Sequence, residues 1–110
     1  MIRFADTVIG AADVHALASY YEQLTGMMRL KEGGGEYVIL LDLRTRQRLC
    51  IVPDPKRKPC HGLETEDFDG SLERIKALGG KVTETHRFPK MDLADCEDPS
   101  GNCFMIWHSK

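Results

Sequence analysis

The sequence predicts an α+β protein built from two βαβββ modules, and three observations carry that prediction. An amphipathic helix pattern occurs twice at a fixed distance: Asp67 stands 54 residues after Asp13, as Leu78 does after Leu24 and Gly80 after Gly26. Each helical stretch has one short apolar segment before it and three strand-like segments after it. A stretch with three prolines in seven residues, 53 to 59, separates the two sets. The expected organisation is one domain, with a first module at about 1–53, a linker at 53–59 and a second module at about 60–110.

The elements follow in order. Phe4 to Ala11, centred on Val8 and Ile9, reads as the first strand. Val14, Leu17, Ala18, Tyr21 and Leu24 then recur at i, i+3, i+4, i+7 and i+10, one face of a helix. Asp13 is its expected N-cap, accepting from free backbone N–H groups, and Gly26 ends it in the left-handed region. Met27 to Lys31, a turn at Gly33-Gly34-Gly35, Glu36 to Leu43 and Gln47 to Val52 supply three strands. Arg44-Thr45-Arg46 forms the hairpin turn between the last two. In the second half, His61 to Thr65 is the leading strand. Phe68, Leu72, Ile75 and Leu78 make the helix stripe behind an Asp67 or Asp69 cap. Val82 to Phe88, Leu93 to Cys96 and Asn102 to His108 complete the set. Asp98-Pro99-Ser100-Gly101-Asn102 is a tight turn. Pro99 sets its first central φ, Gly101 supplies a positive φ, and Asp98 or Asn102 bonds its backbone.

Composition narrows the function classes. The 110 residues hold 15 basic and 17 acidic side chains, a net charge of −2, which argues against a broad nucleic-acid footprint or a polybasic membrane surface. Lys56-Arg57-Lys58 is an isolated basic run and reads as a solvated loop. The longest apolar run, Tyr37 to Leu41, is far short of the ~20 residues that span a bilayer. No secretory signal pattern opens the chain, so a cytoplasmic location is expected, with Cys50, Cys60, Cys96 and Cys103 as reduced thiols. None of the four forms a C-x-x-C pair. There is no phosphate-binding loop after Gly33-Gly34-Gly35 and no Ser-His-Asp nucleophile motif.

Four motifs in order carry a family resemblance over Phe4 to Trp107. They are Ala12-Asp13 with Tyr20-Tyr21-x-x-Leu24-x-Gly26; His61 ahead of Asp67; Leu72-x-x-Ile75-x-x-Leu78-Gly79-Gly80-x-Val82; and the Asp98 to Asn102 turn. Together they resemble the vicinal-oxygen-chelate superfamily, which includes glyoxalase I, bleomycin-resistance proteins and extradiol dioxygenases. The resemblance implies curved sheets around a pocket and, commonly, a homodimer paired side by side or by exchanging modules. In metal-using relatives, four inward side chains hold a divalent ion that acts as a Lewis acid on vicinal substrate oxygens.

Carried over by motif spacing, those positions are Asp6, seven residues before Asp13, and His61, six before Asp67. The third is Met105, four after the turn glycine, and the fourth is Ile51 at the 54-residue offset, with Cys50 or Val52 one register step away. Two apolar residues stand where relatives use ligands, so the standard metal site is not expected, and neither is any cofactor. If a divalent metal binds, Asp6 and His61 hold it, with Cys103 as a candidate third, softer ligand.

Strand alternation extends the expected pocket. Cys103, Met105 and Trp107 share one face of the last strand, and Leu49 with Ile51 share one face of its counterpart; Val8 lies on Asp6's side and Leu63 on that of His61. Two readings stand for His61: a partly buried histidine bonded to a backbone carbonyl or to Asp6, or a polar anchor or general base working with Asp6. Two also stand for the apolar set: a ligand-binding lining, with Trp107 as a stacking surface, or a filled sheet interior. His86 is expected on the face of Val82 and Phe88 or at a sheet edge, His108 in solvent, and His15 off the first helix's apolar stripe. The resulting expectation is a glyoxalase- or bleomycin-resistance-like protein binding a small aromatic or amphipathic molecule. The alternative is a superfamily lyase, isomerase or dioxygenase with a non-standard metal at Asp6 and His61. The third is a purely structural interaction module.

Overall fold

The computed structural model describes residues 1–30 and 36–110. In chain order the elements are β1 (Arg3–Gly10), α1 (Val14–Thr25), β2 (Met28–Arg29), β3 (Val38–Leu41) and β4 (Arg48–Val52), then β5 (Cys60–Glu64), α2 (Phe68–Ala77), β6 (Lys81–Arg87), β7 (Met91–Glu97) and β8 (Cys103–Ser109). The β-α-β-β-β order therefore occurs twice, as the repeat predicts. The predicted Gly33-Gly34-Gly35 turn lies outside the described residues. The chain divides into two compact units: Asp6–Pro59, and Met1–Ala5 together with Cys60–Lys110.

The two units share one wiring. In the first, β1 runs parallel to β4, β4 antiparallel to β3, and β3 antiparallel to β2. In the second, β5 runs parallel to β8, with β8, β7 and β6 successively antiparallel. A parallel neighbour needs a long connection, and here the helix with the two strands that follow it provides one.

Both helices start as their cap residues dictate. The Asp13 carboxylate accepts from the Ala16 N–H at 3.0 Å, and the Asp67 carboxylate from Gly70 at 3.1 Å. Gly26 closes α1 at φ 79°, a conformation that costs a side-chain-bearing residue energy. At the end of α2 the left-handed residue is Gly79, at φ 93°, one position before the expected Gly80. Leu24 and Leu78, each predicted on a helix's apolar stripe, are exposed instead. Leu24 lies in the last turn of α1, and Leu78 follows the last residue of α2.

Each helix covers one face of the strands of its own unit. Val14 and Ala18 of α1 pack on Val38, Leu40 and Ile51, with Ile9 and Leu49 against the same cluster. Phe68, Leu72 and Ile75 of α2 pack on Ala94, Cys96 and Ile106, with Leu63 and Phe104 beside them. The hairpin and tight turns form as expected. Asp42 accepts from the Arg44 N–H at 2.9 Å, and Asp98 from the Ser100 and Asn102 N–H groups at 2.9 Å each. Those bonds favour the charged carboxylates and hold both below the usual aspartate range. No two cysteines are bridged.

Candidate functional site

The helix-free faces are the surfaces left for chemistry, and strand register decides which side chains reach them. In the first unit Val8 pairs with Cys50 and Cys50 with Ile39, so these three share the helix-free face, with Asp6 on Val8's side by alternation. Ile9 pairs with Ile51, and Thr7 with Leu49, on the face under α1. Leu49 and Ile51 are therefore core side chains of the helix side, and Ile51 is 0% exposed. The inward residue of β4 is Cys50, the one-step register alternative.

In the second unit Met105 pairs with Gly62 and Trp107 with Glu64, while His61 pairs with Phe104 and Leu63 with Ile106. Cys103, Met105 and Trp107 thus share the helix-free face, as predicted, whereas His61 and Leu63 lie on the face of α2. The β5 residue alternating onto the Met105 face is Cys60. His61 is exposed, and its ring meets Phe4 edge-on with centroids 5.5 Å apart. It is not the partly buried, carbonyl-bonded histidine of the first reading.

The positions that the resemblance implies for a metal fall on different faces here. The thioether of Met105 lies on the helix-free face, with the thiol of Cys60 on the same side of β5, and His61 faces the other way. A hard divalent ion needs oxygen or nitrogen donors there, so the residues present do not fit the superfamily's usual site.

A different polar group does form on the second unit's helix-free face. Glu84 pairs directly with Asp95 and His86 with Leu93. One ligand atom from each of Glu84, His86 and Asp95 lies within 4.8 Å of the other two. His86 Nε2 is 3.3 Å from a Glu84 carboxylate oxygen, and its ring stacks on Phe88 at 6.0 Å with planes 12° apart. Val82, expected to share this face, instead packs on the α2 core. The cause is a β-bulge between Val82 and Glu84, which inserts Thr83 and reverses the alternation beyond it.

The other predicted histidines are structural. His108, expected in solvent, donates from Nδ1 to the Thr65 carbonyl at 3.0 Å. His15 is exposed and accepts from Arg29 at 3.0 Å. Cys96, buried under α2, has its thiol pushed up to about 11 by burial and by the neighbouring Asp95 charge.

Comparison with known proteins bears on this arrangement. The model of the glyoxalase-like domain family matches residues 6–107. The chain belongs to that family. This glyoxalase-like protein resembles methylmalonyl-CoA epimerase from Mycobacterium tuberculosis, with a TM-score of 0.68, 15% identity, and 97% of this chain and 87% of that chain covered. A methylmalonyl-CoA epimerase from Streptomyces coelicolor gives 0.68 at 17% identity, with 97% and 96% covered. A glyoxalase I variant from Zea mays gives 0.66 at 21% identity; 96% of this chain covers 42% of that one. At these identities the likeness shows the fold. A comparison with curated protein sequences gives no match.

Proposed function

We propose that this glyoxalase-like protein binds a small aromatic or amphipathic molecule on the helix-free face of its second unit, without the superfamily's standard metal site. The observation that carries this reading is the pairing of Met105 with Gly62 and of Trp107 with Glu64. It puts a thioether and an indole on the face turned away from α2, where both form a buried lining, Met105 6% and Trp107 8% exposed. Met105 is polarisable and adapts its shape, and Trp107 offers a flat ring with one N–H donor. The strand opposite contributes Leu93 and Asp95, so one end of the surface is apolar and the other acidic. Such a surface favours a ligand with an aromatic body and a cationic or hydrogen-bond-donating end.

Trp107 is the chain's single tryptophan, which makes the test direct. Its fluorescence, titrated with a panel of aromatic cations and of acyl thioesters in the presence of EDTA, is expected to change saturably with at least one compound. The response is expected to weaken in Met105→Glu. A panel-wide lack of response, with the fold intact by circular dichroism, would refute the reading. The competing reading, a metal-dependent lyase, isomerase or dioxygenase at Asp6 and His61, predicts stoichiometric metal that is lost in His61→Ala. The orientation of His61 toward the α2 face counts against it.

A further inference from the structure

We infer that Glu84, His86 and Asp95 form a binding site for one divalent transition-metal ion, on the same face as the proposed ligand surface but away from the superfamily's ligand positions. Two strands build it. Glu84 and His86 sit two residues apart on β6 and so point the same way, and Asp95 stands opposite Glu84 on β7. The donor set is one imidazole nitrogen and two carboxylates. These are ligand types that zinc takes in three-ligand sites with an open fourth position.

The geometry suits an ion. Ligand atoms about 2.0–2.1 Å from a tetrahedral zinc lie about 3.3–3.4 Å from one another. The His86 Nε2 to Glu84 oxygen separation is already 3.3 Å. Asp95 needs only a small side-chain rotation, all three ligand atoms being within 4.8 Å.

The bulge is the second, independent argument. Were Thr83 paired in the ladder instead of bulged out of it, Glu84 would oppose Ala94 and His86 would oppose Asp92, both on the α2 face. The bulge keeps them on the face of Asp95, and the Thr83 hydroxyl donates to the Asp95 carbonyl at 3.0 Å, fastening the bulge to β7. The result sets two carboxylates and an imidazole on one face of the β6–β7 ribbon. Bulges concentrate beside active sites and at sheet edges, where they re-aim side chains. Here the re-aimed side chains complete a ligand set. Because neighbouring strands lie about 4.8 Å apart, an ion on β6 and β7 would border whatever molecule rests on Met105 and Trp107 of β8.

The inference goes beyond the proposed function, and either can fail alone, since the fluorescence titration is done in EDTA. The test is calorimetric titration of the EDTA-stripped, desalted protein with Zn2+, followed by the visible spectrum of the Co2+ form. One ion per chain is expected, with affinity falling more than about tenfold in His86→Ala and in Asp95→Asn. His61→Ala is expected to bind as the wild type does, and the Co2+ spectrum to lack a thiolate charge-transfer band. Circular dichroism confirms that the exposed-face variants fold. Three outcomes overturn the inference: no saturable Zn2+ binding, binding that survives His86→Ala, or a thiolate band placing the ion on cysteine. In the first case the bulge only blunts a sheet edge.

Discussion

Single residues show how environment separates chemically identical groups. Cys96 and Cys103 stand seven apart on either side of one hairpin's tight turn, and Cys96 is 1% exposed while Cys103 is exposed. The reactive species is the thiolate, and at pH 8 a thiol raised to about 11 holds almost none of it. A short iodoacetamide pulse at pH 8 is therefore expected to alkylate Cys103 and spare Cys96 until the protein is unfolded, as read by peptide mass mapping. Labelling of Cys96 at the rate of Cys103 would contradict the packing of α2 over β7. Asp92 is a second example. It is buried, and its carboxylate lies 3.0 Å from the Lys110 ammonium and 3.4 Å from an Arg87 guanidinium nitrogen. Arg87 also lies 5.0 Å over the Phe68 ring, tying the polar cluster to the α2 core.

At the scale of elements, periodicity made the helices and strands legible but not their faces. The caps Asp13, Asp67 and Gly26 stand where residue chemistry puts them, because those effects are local. Side-chain direction in a sheet is set by pairing with a distant strand, and a one-residue error inverts it. Two such errors separate expectation from structure. His61, six residues before Asp67, lies on the α2 face, and its neighbour Cys60 lies on the face of Met105. The 54-residue offset selected Ile51, but Val8 stands opposite Cys50 as Gly62 stands opposite Met105, an offset of 55 for the second pair. The second half therefore carries one more residue in that interval, which includes the bulge at Thr83. The Glu84–His86–Asp95 group was hidden for the same reason. The available signal was the polar alternation Thr83, Glu84, Thr85, His86 in a strand otherwise expected to present Val82, and it needed the bulge to be interpreted. The assignment of Ile51 to the helix side has a measurable cost: Ile51→Ala is expected to destabilise the protein by about 2–5 kcal/mol in urea unfolding. A loss well under 1 kcal/mol would return Ile51 to a solvent-accessible lining.

The molecule as a whole repeats one plan, each unit using one helix to cover one sheet face. Such a unit leaves its other face and its outer edge strand to be covered, filled or charged. Among the described residues no helix is long and apolar enough to cross a membrane. Phe4, Tyr20, Leu24, Met28 and Leu78 remain exposed on the chain taken alone. Together with the family resemblance, these faces lead us to propose a homodimer. Light scattering at micromolar concentration is expected to give twice the chain mass of 12.4 kDa. A monomer mass across that range would refute pairing.

The extra residue in β6 also bears on how this protein can be compared with others. A position-by-position correspondence with an unbulged strand that runs ungapped through Thr83 is out of step by one on one side of it. Residues under a helix would then be matched with both Glu84 and His86. Mutational data transferred that way would assign core phenotypes to these two helix-free positions. A correspondence gapped at Thr83 restores parity, and a chain with that single residue deleted would still set Glu84 opposite Asp95 and His86 opposite Leu93, in a strand without the bulge.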